Sequence, residues 1–169
     1  AQEGPFEREF AIHIGEHRVG LDIHQSLLRW REFKVDTEGI IARAHQNTRG
    51  WRICDPLDLL LHSALHAGNA ALRVPLRSIL DIHLLARTLV RDWRALTERA
   101  TSWRSRSALW LCLSVSQRWF GTPIPEDVLE ALRPPRLIAR HLESASAHEG
   151  RFASGHLKQS ALKRTWLRA

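Results

Sequence analysis

These 169 residues predict a mainly α-helical protein that carries a small antiparallel β-hairpin. Three observations lead there. Near the start, two stretches of apolar alternation flank a short glycine-containing loop. From Pro56 onward, apolar residues recur at helical spacing. Proline, glycine and capping residues then cut that pattern into segments of helix length.

The first alternating stretch is Phe6 to Ile14, with Phe6, Phe10, Ile12 and Ile14 on one face. After Gly15-Glu16-His17 the second reads RVGLDIHQ, with Val19, Leu21 and Ile23 on one face and Asp22 and His24 on the other. This pair is the one convincing sheet in the sequence. Two strands alone are marginal in water, so they are expected to join a larger sheet or lie against helices. Ser26 to Lys34 reads as a short amphipathic piece and Thr37 to Gln46 as a helix. Asn47 to Gly50 reads as a turn and Trp51 to Cys54 as a brief extended run.

Asp55-Pro56 places a capping residue before a proline at the first helical position. The helix it starts runs to Gly68. Pro75 opens the next, LRSILDIHLLARTLV, and Asp92 caps a third whose stripe is Trp93, Leu96, Ala100 and Trp103. Ser105 or Ser107 starts a fourth, ALWLCLSVSQRWF, apolar nearly all round and therefore central. Gly121 to Pro125 breaks it. A short fifth helix follows Pro125 and ends at Pro134-Pro135, and Arg136 to Ser144 forms a sixth. The stretch from Ala145 is polar, with a terminal helix expected over Leu157 to Leu167.

Hydrophobic residues at 44% and charged ones at 25% describe a globular chain, not a disordered one. No apolar run reaches the roughly 18 residues that cross a bilayer, and the start does not read as a secretory signal. The expectation is a cytoplasmic protein without a membrane partner. Cys54 and Cys112 lack metal or disulfide spacing and read as reduced core residues. The net charge of +7 comes from 22 arginines and three lysines against 18 acids. Spread along helix surfaces, it reads mostly as solvation. The exception is the end of the chain, where eight Lys or Arg stand against two acids from Arg133 onward, a candidate polyanion contact.

Among residues that could carry chemistry, Asp22 stands first. A strand-borne carboxylate between apolar neighbours points off the apolar face, where it could help hold Mg²⁺ beside phosphate. The plainer reading is a solvated acid near His24 or Arg18. His62 and His66 lie four apart on one helix, with Asp81 and His83 on the next, which allows a His/Asp metal cluster suited to a phosphohydrolase. Against it, no adjacent His-Asp pair occurs, and helix-to-helix hydrogen bonding is the ordinary reading. The tryptophans, including Trp93, Trp103, Trp110 and Trp119, sit mostly at helical apolar positions, and core packing explains them better than base stacking.

The order of several fragments resembles the uncharacterised bacterial nucleotidyltransferases of the polymerase-beta-like superfamily. Val19-Gly-Leu-Asp22-Ile-His24 is similar to their strand ending in V-D-L-H-W. Cys54-Asp-Pro56-Leu-Asp58 through His62 and His66 resembles an L-x-P-x-D-x-L-L-H-x-x-x-H helix. Leu76-Arg77 through Asp81-Ile82, Asp92-Trp93 through Arg99-Ala100, and Gly121-Thr-Pro123-Ile-Pro125 follow in order. The likeness covers residues 6 to 133.

The resemblance implies a remnant edge of a nucleotidyltransferase α/β core followed by a helical bundle. On that scheme residues 1–50 hold the partial core, 51–144 the bundle, and 145–169 a basic, loosely held tail. Asp22 would be the third carboxylate of a Mg²⁺-dependent site that takes an NTP and an acceptor of unknown identity. The sequence departs from the family in having no Gly-Ser turn and no Asp-x-Asp pair. The expectation is therefore a fragment of a longer product or a relative that has lost catalysis, inactive alone. Rival expectations are a helical module binding a protein or nucleic acid through its basic end, and a phosphohydrolase using His62, His66 and Asp81.

Overall fold

The computed structural model describes residues 7–24, 33–69 and 76–146. The chain divides into two compact units, Ala1–Arg31 and Glu32–Ala169.

In the first unit, β1 (Glu7–Ile14) pairs antiparallel with β2 (His17–His24). The loop is one residue shorter than the sequence suggests: Ile14 pairs directly with His17, leaving Gly15 and Glu16 as the turn. Gly15 has φ of 61°, a positive value at the first central position, as a type II′ turn requires. That turn fixes the register as Ile12 with Val19, Phe10 with Leu21, and Glu9 with Asp22. The apolar face keeps Phe10, Ile12, Val19 and Leu21 at 39–45% exposure. Among the described residues no third strand joins this sheet.

The second unit is helical, in agreement with the mainly α expectation. It comprises α1 (Thr37–Arg43), α2 (Pro56–Asn69), α3 (Leu76–Thr88), α4 (Trp93–Ser102), α5 (Arg106–Phe120), α6 (Glu126–Leu132) and α7 (Arg136–Ser146). The predicted caps form. The Asp55 carboxylate accepts from the amides of Leu57 and Asp58, and Asp92 accepts from Ala95 at 2.8 Å. At the end of α4, Arg104 donates to Thr101 and Ser105 to Ala100, a Schellman reversal with Arg104 at φ 56° where glycine is usual. Gly121, at φ 62°, closes α5.

The core lies where α2, α3 and α5 meet. Leu60, Leu61, Leu65, Ile79, Ile82, Leu109 and Leu113 are buried there. α5 is central, as its nearly continuous apolar surface predicts, with nine buried residues on a 15-residue helix. Gly68 lets α2 approach it closely, because a Cβ there would stand 3.1 Å from the Ala108 side chain. Cys112 is fully buried with its thiol 3.3 Å from the Ala64 carbonyl, and burial pushes that thiol up to about 12. Cys54 is half-buried rather than a core residue, and both cysteines are free.

Two expectations need correction. The helix from Thr37 stops at Arg43 instead of reaching Gln46, and the first hairpin is not the sole sheet. His45–Gln46 (β3) pairs antiparallel with Arg52–Ile53 (β4). The cause is local: the Asn47 side chain accepts from the amides of Arg49 and Trp51, both at 2.9 Å, and Gly50 takes φ of 79°. This Asx-type turn draws the chain back after Ala44 leaves the helix at ψ 131°. Most of the Ser26 to Lys34 piece and the Leu157 to Leu167 helix lie outside the described residues. No helix among them is long and apolar enough to cross a membrane.

Candidate functional site

Asp22 sits two residues from the end of β2, and the register places Glu9 directly opposite it. Glu7 pairs with His24 in the same way. Positions 7, 9, 22 and 24 therefore share one face of the ladder, since residues two apart return to the same side. Two acids directly opposite each other are unfavourable unless a cation or a basic group lies between them. The pairing of Glu9 with Asp22 was not apparent from the sequence. Its signal was the turn length: a two-residue loop after Ile14 pairs Glu9 with Asp22, whereas a three-residue loop would pair Phe10 there.

In the helical unit, charge converges on Asp58, the aspartate of the Cys54-Asp-Pro56-Leu-Asp58 fragment. Asp58 stands in the first turn of α2 and is 1% exposed. Arg43 of α1 grips it through two hydrogen bonds, Nε at 2.8 Å and Nη2 at 3.1 Å. Arg99 of α4 reaches in from the other side, with Nη1 at 2.8 Å from Asp58 and 2.7 Å from Asp55. The fork geometry of arginine suits this bidentate grip. The hydrogen bond to Asp58 leads the effects that raise Arg43 above its usual value, outweighing the burial that opposes them. For Asp55, burial pushes upward, but Arg99's hydrogen bond and charge, with the Leu57 and Asp58 amides, hold its carboxyl below the usual range.

A cleft of about 380 Å³ opens beside this cluster, lined by Asp36, Arg43, Glu98, Arg99 and the edge of Trp103. Its arginines are already matched by carboxylates, so the cluster works as a clamp joining α1, α2 and α4.

The other predicted residues are scattered. His62 is half-buried, and His66 and Asp81 are exposed. His83 is buried, its Nδ1 2.9 Å from the Thr122 hydroxyl, which lies 2.5 Å from that of Ser116. Phe120 stands against its ring, the centroids 5.6 Å apart. That chain ties α3 to the Gly121–Pro125 break, the helix-linking role expected of an ordinary buried histidine. Among the described residues, no group of three or more His, Cys, Asp or Glu side chains is placed to hold a metal ion. Of the four tryptophans assigned to packing, Trp103 and Trp110 are buried and Trp93 and Trp119 half-buried, while Trp51 is 71% exposed.

The chain thus sets a mainly helical body after a hairpin whose second strand carries Asp22. The family model described as uncharacterised nucleotidyltransferase matches residues 2–121, and the chain belongs to that family. The match spans the hairpin, the ion cluster and the helices through α5. No curated protein and no solved structure matches the chain.

Proposed function

We propose that the first unit supplies the third-carboxylate strand for metal-dependent nucleotidyl transfer, with Asp22 as the carboxylate, and that the helices serve as its scaffold. The observation that carries this is the family match across Asp22's strand, with a second acid, Glu9, opposite it in the ladder. In such a reaction the acceptor's hydroxyl oxygen bonds the α-phosphorus of an NTP while the bond to pyrophosphate breaks. Carboxylate oxygens are the donors Mg²⁺ prefers, so Asp22, with Glu9 beside it, would hold the ion. Bound there, the ion would neutralise charge developing on phosphate. Asp22 itself would orient the ion and the acceptor hydroxyl. The sequence contains neither a Gly-Ser turn nor an Asp-x-Asp pair, so the chain by itself is proposed to be inactive.

Two measurements test this. Incubating the chain with Mg²⁺ and each labelled NTP is expected to yield no labelled acceptor, and any transfer overturns the claim of inactivity. Titrating Mn²⁺ into the isotope-labelled chain is expected to broaden the amide signals of Glu9 and Asp22. That broadening should disappear in Asp22→Ala, and broadening that persists there removes Asp22 from the role.

A further inference from the structure

We infer that the tip of the β3–β4 hairpin is a contact surface for single-stranded nucleic acid, with Trp51 stacking on a base and Arg49 and Arg52 meeting phosphates. The observation is an indole 71% exposed on a turn built to present it. Beneath Trp51, the Asn47 side chain accepts from the amides of Arg49 and Trp51, and the Asn47 amide donates to the Trp51 carbonyl at 2.8 Å. The Gln46 side chain donates to Gly50 at 3.1 Å. The platform is thus held in place before any ligand arrives, which lowers the ordering cost of binding.

Next to Trp51 in the chain, β4 sets Ile53 opposite His45 in the register. The Arg52 guanidinium donates to the Ile41 carbonyl and keeps further N–H groups for a phosphate. Residues 44–54 carry His45, Arg49 and Arg52 and no acid, in a chain of net charge +7. A protein partner would call for a broader apolar field, whereas the exposed apolar side chains here are Ile41, Trp51 and Ile53. One exposed aromatic, with Arg49 and Arg52 next to it on the same short hairpin, supplies the stacking face and the cations that a base and its phosphates need. The inference uses neither Asp22's strand nor residues 147–169, and it stands whether or not the chain transfers nucleotides.

The test is fluorescence anisotropy of the full chain with a labelled oligouridylate of about 12 nucleotides, within the usual span of such sites. An abasic strand of equal length serves as the control. Trp51→Ala is expected to weaken binding to the oligouridylate about tenfold, with Trp51→Phe restoring most of it. The abasic strand should bind wild type and Trp51→Ala alike. The Arg49→Ala/Arg52→Ala pair should reduce the slope of log affinity against log salt by about 1.4, as for two single-strand phosphate contacts. Circular dichroism confirms that each variant is folded. Failure of the wild-type chain to bind overturns the inference, as does binding that Trp51→Ala leaves unchanged. Equal wild-type affinity for both strands also overturns it, because charge alone would then suffice.

Discussion

The two compact units handle apolar residues in opposite ways. In the hairpin, Ile12, Ile14, Leu21 and Ile23 alternate cleanly along their strands yet remain 44–64% exposed. In the helical unit, Leu60, Leu61, Leu109 and Leu113 are wholly buried. The hairpin is held by its turn and its ladder, both local, while the helices are held by what they bury against one another. An apolar pattern therefore says which face wants cover, but only packing supplies that cover.

The largest expected effect sharpens that contrast. Leu113→Ala, in the centre of α5, should lower unfolding stability by about 3 kcal/mol through lost burial and the cavity left behind. Ile12→Ala in the hairpin should cost less than about 1 kcal/mol, because much of that side chain already meets water. Chemical denaturation of both variants measures the difference, and equal losses would mean that the hairpin face is covered in solution.

A smaller effect is expected at the ion cluster, where burial and charge meet. Asp58→Ala strands two arginine forks and should cost about 2 kcal/mol, below the range for fully buried pairs because Arg43 is partly solvated. Thermal unfolding midpoints would show it, and a loss no larger than that of Arg94→Ala, which removes an exposed i,i+4 pair on α4, would mean that the clamp contributes nothing.

The smallest effect is one of pH. Asp55's carboxyl is depressed in the folded state, so its pairing with Arg99 stabilises the fold above the unfolded carboxyl value of about 3.9. That contribution is lost as pH falls through the lower folded value. Asp55→Asn keeps the cap but removes the charge, and should cost about 1 kcal/mol or less near neutrality. The gap between wild type and variant should close below about pH 4. A gap that stays constant into acid would detach it from Asp55's ionisation.

The helices and their caps were legible in the sequence because their signals are local. Asp92, Pro56 and Gly121 act within one turn of their own positions, and the apolar surface of α5 shows in any helical projection. The strand that carries Asp22 was legible, but the residue paired with it was not. Glu9 came into register only once the turn proved to hold two residues instead of three, and a shift of one residue exchanges the faces of a strand. Asp58 was legible only as one letter of a family-like fragment, because its two arginines lie 15 and 41 residues away in sequence. Trp51 read like any other tryptophan, because exposure belongs to the folded chain and not to the residue type.

By itself the sequence determined where the helices from Pro56 onward lie, which faces are apolar and which family pattern the chain follows, since each depends on near neighbours or on the order of residues. The tertiary structure alone decided that Asp58 is buried between Arg43 and Arg99, that His83 meets Thr122, and that Trp51 stands in solvent. Those outcomes depend on which distant segments meet, and that is settled by burial and charge pairing summed over the whole fold.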